Sequence, residues 1–263
     1  VNLLGGPRAR APMETPPMTD LHCHILPGLD DGSESPAMSA EMARIAAAHG
    51  TDHIACTPHC QSDDPDLPAR ILLIRRLTEA LGGLLRREAV PVTLYPGMEL
   101  LCRGGLPGLL ETGGVLPLAD SRYLLIEFDF DAPLAHMERS AARVLDAGLR
   151  PIIAHPERYD AVQREPQQLR RWFRSGVLLQ LNKASILGRF GPRPEETADF
   201  LLREGLAHVF ARDAHRPDVR TPDLSAALRA VALRCSTAYA KLLFSENPAR
   251  VLRDRDIVRP DEF

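Results

Sequence analysis

Along most of the chain, short apolar runs alternate with stretches whose apolar residues recur every three to four positions. The runs predict strands and the longer stretches amphipathic helices. Strands are expected at residues 19–24, 53–57, 92–95, 123–128, Arg150–Ala154, 177–181 and 208–211. The run at 123–128 is continuously apolar, as in a strand covered on both faces. Between the strands lie expected helices. The first, 37–49, opens at Ser35-Pro36 and closes at Gly50, with Ser suited to the N-cap, Pro to the first turn and Gly to the C-terminal position. Others are expected at 69–88, at 136–147 closed by Gly148, at 167–175 closed by Gly176, and at 194–204 closed by Gly205. Residues 222–234 and 236–244 read as helices, and Asn247-Pro248 opens a last short one.

Repeated βα units of this length predict an α/β fold with a parallel sheet and helices outside. About seven of them point to a closed or nearly closed barrel, where chemistry belongs at the C-terminal strand ends. Polar residues recur at those ends: His22-Cys23-His24 with Asp30-Asp31-Gly32, Thr57-Pro58-His59, Gly97-Met98-Glu99, Glu127, His155-Pro156-Glu157-Arg158, Asn182, and Asp213-Ala214-His215. Alternation along a strand would turn His22 and His24 to one face, and likewise Asp213 and His215. Neutral imidazoles and carboxylates together ligate Zn, Mn or Fe. Taken singly, each signal has an ordinary reading: a structural H-x-H, an Asp-Asp-Gly turn, a carboxylate capping a loop. Together they do not, because buried carboxylates and histidines left unpaired cost several kcal/mol.

Composition narrows the function. The chain has 263 residues, 44% hydrophobic and 25% charged, enough for one large domain with its own core. A net charge of −3 and 5% aromatic residues argue against a nucleic-acid partner. Of 32 basic residues only Lys183 and Lys241 are lysines, which reads as codon bias. Five of the nine histidines fall at expected strand ends, and His49 reads as a helix C-terminal cation. The five cysteines form no C-x-x-C and no C-x5-R, so neither a disulfide framework nor a cysteine-phosphatase loop is expected. No phosphate-binding G-x4-G-K-[ST] loop is present. Residues 1–18, rich in Pro, Arg and Gly, read as a flexible leader or vector remnant, with a single domain over 19–263. With no long apolar run, the expectation is a cytoplasmic protein without membrane insertion.

The run D-L-H-C-H-I-L-P-G-L-D-D-G (20–32) with C-T-P-H (56–59) resembles the PHP (polymerase and histidinol phosphatase) superfamily. H-P-E-R-Y (155–159), L-N-K-A-S-I-L-G-R-F-G (181–191) and D-A-H-R-P-D-V-R (213–220) are similar to its CpsB/YwqE branch, the manganese-dependent protein-tyrosine phosphatases of capsule and exopolysaccharide operons. The resemblance implies a distorted (β/α)7 TIM-like barrel with three divalent ions, manganese by analogy, although the same ligands suit iron or zinc. Carried over, His22, His24, Glu99 and Asp213 would hold the first ion. Glu99 would bridge to a second, completed by Glu127 and His155. Asp31, His59 and His215 would hold the third, and Arg158 and Arg220 would contact phosphate. Two positions depart from the pattern: Arg212 replaces a small residue before Asp213, and Cys60 follows His59. Neither removes a ligand, and Arg212 is expected to add a phosphate contact or narrow the site.

The implied reaction is hydrolysis of phosphotyrosine by a metal-bound hydroxide, with a tyrosine autokinase tail as protein partner. Self-association stays open at this stage. Three alternatives remain: a histidinol-phosphate or nucleotide phosphatase of the same fold, a metallo-amidohydrolase, which would want a bridging lysine, and a non-catalytic binding module, which would have lost ligands.

Overall fold

The computed structural model describes residues 17–218 and 220–259. The expected leader lies outside them except for Pro17 and Met18. Met18 already belongs to the first strand, since its amide donates to Gly50 O at 2.8 Å and its side chain is buried.

Strand β1 (Met18–Cys23) leads through α1 (Pro36–Ala48) to β2 (Thr51–Cys56) and β3 (His59–Gln61). Then come α2 (Leu67–Arg87), β4 (Thr93–Pro96), β5 (Glu99–Leu101), α3 (Leu106–Thr112), β6 (Tyr123–Glu127), α4 (Leu134–Asp146) and β7 (Arg150–Ala154). The second half continues with α5 (Asp160–Arg164), α6 (Leu169–Ser175), β8 (Leu178–Asn182), α7 (Lys183–Ile186), α8 (Pro192–Arg203), β9 (Val209–Ala211), α9 (Ser225–Arg234), α10 (Thr237–Lys241) and α11 (Asn247–Leu252).

The punctuation behaves as the sequence predicts. Ser35 Oγ accepts from Met38 N at 3.2 Å, with Pro36 at the first helical position. Gly50 (φ 83°) ends α1 in the left-handed region, and His49 Nδ1 reaches the Ile45 carbonyl at 2.8 Å.

Neighbouring strands pair in parallel, in the orders β1-β2-β4 and β3-β5-β6-β7-β8-β9. The single strands expected near 53–57 and 92–95 are each followed by a second short one, β3 and β5. Pro58 lies between β2 and β3 and Pro96 closes β4, each a residue with no N–H to give to the ladder. Beyond β9, Asp213 N donates to His22 O (3.0 Å) and His24 N to Ala214 O (2.9 Å), and Ala214 bridges Cys23 in parallel. A large apolar cluster packs strands against helices, and a smaller one includes Leu21, Ala55, Leu125, Ile152 and Val209. Along β6, Leu125 belongs to that smaller cluster, and alternation puts Glu127 on the same face one step further. Among the described residues, no helix is long and apolar enough to cross a membrane.

Candidate metal centre

The polar strand ends converge. His22 is the last residue but one of the buried strand β1 and His24 comes just after its end, their Nε2 atoms 3.1 Å apart. Glu99, the first residue of β5 and fully buried, places Oε2 3.1 Å from His22 Nε2, 3.3 Å from His24 Nε2 and 2.9 Å from His59 Nδ1. Its Oε1 lies 3.0 Å from His155 Nε2. Glu127 Oε1 lies 2.9 Å from His59 Nδ1. Asp213 Oδ1 stands 3.7 Å from His22 Nε2 and 3.4 Å from His24 Nε2. Asp31 Oδ1, at the open side, lies 3.6 Å from His59 Nε2 and 3.4 Å from His215 Nε2. All nine expected ligands thus fall into four overlapping groups: His22, His24 and Asp213; His22, Glu99 and His155; His59, Glu99 and Glu127; and His24, Asp31, His59 and His215.

Asp213 and His215 reach the site by a route other than strand alternation. Asp213 lies beyond β9 with φ 51°, and His155 (35°) and Arg220 (51°) are also left-handed. Such backbone costs about 1–3 kcal/mol per non-glycine residue and clusters at functional sites. Gly32 serves a tight approach, because a Cβ there would stand 2.2 Å from the His24 carbonyl oxygen.

Charge in the cluster is strongly coupled. Burial disfavours charge on His24, yet the nearby carboxylates of Asp213, Asp30 and Glu99 raise it well above the imidazole range. Burial likewise opposes charge on Glu99, but the attraction of His22, the hydrogen bond with His155 and the closeness of His24 hold it well below the carboxylate range. His59, despite burial, is raised to about 10 by Glu127 and Glu99. Glu127 is pushed up to about 7 by burial and by the charge on Glu99. His215 is lowered to about 4 by burial and by His24.

The residues fit divalent cations. Glu99 Oε2 is buried without a hydrogen-bond partner although three imidazole nitrogens face it. The carboxylate charge that draws protons onto His24 and His59 would hold cations in exchange for those protons.

A second layer fixes the rings, as ligands of this kind require. Gln180 Oε1 lies 2.8 Å from His22 Nδ1, and Asp30 Oδ2 lies 2.7 Å from His24 Nδ1 while accepting from His59 N. Asn182 Nδ2 and Arg158 Nη1 donate to Asp213 Oδ2 at 2.9 and 3.2 Å. Arg220 Nη1 lies 3.2 Å from His215 Nε2. Gln180 is marked in the sequence only by its i, i+2 spacing from Asn182 on β8, and Asp30 reads there as a turn residue alone. Glu157, noted at the same strand end as His155 but given no role, is fully buried with Oε1 accepting from Asn182 N at 2.8 Å.

Arg212 corrects an expectation. It is 1% exposed, and its Nε donates to Asp20 Oδ2 at 2.7 Å and its Nη1 to the Pro222 carbonyl. A side chain so engaged neither reaches a phosphate nor narrows the site. Cys60 is buried, its thiol pushed up to about 12 by burial. Lys183 Nζ donates to the Thr221 and Asp223 carbonyls at 2.7 and 3.0 Å, and exposed Lys241 pairs with Glu246 at 2.9 Å. Both lysines are thus engaged away from the cluster, which leaves the bridging lysine of the amidohydrolase alternative without a candidate among the described residues.

Fold and site together define an α/β protein with a multi-ligand N/O centre at the strand ends. The chain belongs to the CpsB/CapC family of capsular polysaccharide synthesis, whose model matches residues 18–253. It is 32% identical over 243 residues to the tyrosine-protein phosphatase YwqE of Bacillus subtilis, covering 92% of this chain and 94% of that one. It is 27% identical over 248 residues to the tyrosine-protein phosphatase CpsB of Streptococcus pneumoniae, covering 90% and 99%. A crystal structure from work on B. subtilis YwqE and S. pneumoniae CpsB, described as unique metal-dependent tyrosine phosphatases, superposes with a TM-score of 0.84 at 32% identity, covering 92% of this chain and 97% of that one. Dihydropyrimidinase from Brevibacillus agri, at 12% identity and a TM-score of 0.56 over 91% of this chain and 71% of its own, shares the fold alone.

Proposed function

We infer that this chain is a metal-dependent phosphatase that hydrolyses phosphotyrosine on proteins. The observation that carries the reading is Glu99 Oε2 facing three imidazole nitrogens at 2.9–3.3 Å without a hydrogen bond, beside Arg158 and Arg220, which both approach Asp213. The family relatives, named as tyrosine-protein phosphatases, support it. We read the two sheets as a distorted (β/α)7 barrel, joined through β2–β3 and β4–β5 and drawn together by the Cys23–Ala214 bridge.

Three divalent ions would be held as follows: His22, His24, Glu99 and Asp213 for the first, Glu99, Glu127 and His155 for the second, Asp31, His59 and His215 for the third. Manganese is the ion proposed. When bound, such ions bring the pKa of water near neutrality and offset phosphate charge. The chain's own residues do the rest. Arg158 and Arg220 offer planar forks of donors to the phosphate oxygens. Gln180, Asp30 and Asn182 hold His22, His24 and Asp213 in one orientation, so no reorganisation is needed as charge develops. A tyrosyl leaving group, with a phenol pKa of about 10, leaves with little help from an acid.

The proposed substrate is the phosphorylated tail of a tyrosine autokinase, met in the cytoplasm. Turnover on a phosphotyrosine peptide, histidinol phosphate and nucleotides, with elemental analysis of the purified protein, tests the reading. The peptide is expected to be the best substrate; preference for either small ester would overturn the assignment.

A further inference from the structure

Two phenyl rings flank Arg158. Phe130 lies in the loop after β6, pinned where Asp160 N donates to its carbonyl at 2.9 Å. Phe190 lies in the loop after α7. The central carbon of the Arg158 guanidinium is 4.6 Å from the centre of the Phe130 ring and 4.4 Å from that of Phe190. Phe190 also lies 5.7 Å from the Arg220 guanidinium, and Phe130 6.2 Å from the His155 ring. Stacking on a cation accounts for part of each ring's surface. Phe130 nevertheless remains 49% exposed, one of four large apolar side chains left so among the described residues, and it is the one beside the polar centre.

We propose that Phe130 and Phe190 form an aryl-binding rim that selects phosphate esters of phenols. The inference rests on the phosphatase reading above. A phosphate held by Arg158 and Arg220 puts its ester oxygen, and whatever that oxygen carries, beside these two rings. A phenyl group there packs in offset or edge-to-face geometry, which an alkyl chain does not reproduce. With both phenyl rings against its guanidinium and Nη1 engaged by Asp213, Arg158 keeps its remaining N–H groups for phosphate.

The test compares phenyl phosphate, which carries the ring, with inorganic phosphate as a competitive inhibitor, which does not. In Phe130→Ala and Phe190→Leu, kcat/KM for phenyl phosphate is expected to fall about 3- to 10-fold through KM. The inhibition constant of phosphate is expected to hold, and Phe130→Tyr to restore the loss. Because phosphate binding is read separately, the comparison does not depend on how good a leaving group phenol is. A matching rise in the phosphate inhibition constant means that the rings only steady Arg158, and it overturns the rim; so does an unchanged KM. A wild-type protein that hydrolyses no phosphate ester overturns the phosphatase reading itself, a result distinct from either.

Discussion

Arg158 Nη1 donates to Asp213 Oδ2 at 3.2 Å, joining a proposed phosphate-binding cation to a proposed metal ligand. Asp213 does not depend on that contact alone, since Asn182 Nδ2 holds the same oxygen at 2.9 Å. Arg158→Ala is therefore expected to lower kcat/KM on a phosphotyrosine peptide about a hundredfold, the cost of one preorganised donor, while metal content stays intact. Elemental analysis alongside the kinetics checks it. Loss of bound metal in that variant would overturn the role given to Arg158.

Asp30 touches no expected cation, yet it holds His24 Nδ1 at 2.7 Å and accepts from the His59 and Gly32 amides. Burial opposes its charge, but the His24 contact and the two amides lower its carboxyl to about 2. Asp30→Ala is expected to weaken retention of Mn(II) about 10- to 100-fold, as loss of an outer-layer partner does. A metal titration reads this directly. Unchanged affinity would show that His24 keeps its orientation without help.

The Arg212–Asp20 pair lies in the core, with both side chains fully buried. Removing one partner leaves an unpaired buried charge, so Arg212→Met is expected to cost about 3–5 kcal/mol of stability. Asp20→Leu with Arg212→Met should recover most of it, because buried pairs are often replaceable by apolar residues. Urea unfolding of the single and double variants measures this. A stable single variant that has lost phosphate affinity would return Arg212 to the site.

His208 supplies a pH dependence away from the metal centre. Its Nδ1 accepts from Leu179 N at 3.1 Å, its ring stacks on Phe173 with centroids 4.9 Å apart, and burial together with Arg259 lowers it to about 3. The folded pKa lies below the unfolded one, so the unfolded chain takes up the proton first as pH falls. The stability tied to neutral His208 is complete above about pH 6.5 and drains away toward the folded value, roughly 2 kcal/mol by pH 5. Denaturant unfolding of wild type and His208→Asn at pH 7 and pH 5 isolates the effect. The variant, whose Oδ1 keeps the acceptor, should lose less stability on acidification; equal losses would contradict the assignment.

Much of this was legible because strand ends carry their chemistry locally. His22, Glu127, His155 and Asp213 each sit at or just past the end of an apolar run, and their recurrence there announces them together. What the pattern could not show depends on partners distant in sequence. Arg212 is adjacent to Asp213, and only the fold reveals that it turns to Asp20. Asp30 looks like a turn residue and is one, accepting from Gly32 N at 2.9 Å, while its other oxygen serves His24. The split of β2 from β3 and of β4 from β5 escaped because three residues carry no periodicity. The left-handed backbone at His155, Asp213 and Arg220 has no signature in residue type, since glycine, the usual marker, is absent there.

The most direct measurement follows one purified sample through stripping and repair. Phosphotyrosine-peptide hydrolysis is measured on the protein as isolated, after chelation to metal-free protein verified by elemental analysis, and after Mn(II) is returned, with Asp213→Ala in parallel. The expected result is turnover lost on stripping, regained with Mn(II), and absent throughout in the variant. Full turnover by verified metal-free protein would contradict the assignment of the nine-ligand cluster as a catalytic metal centre.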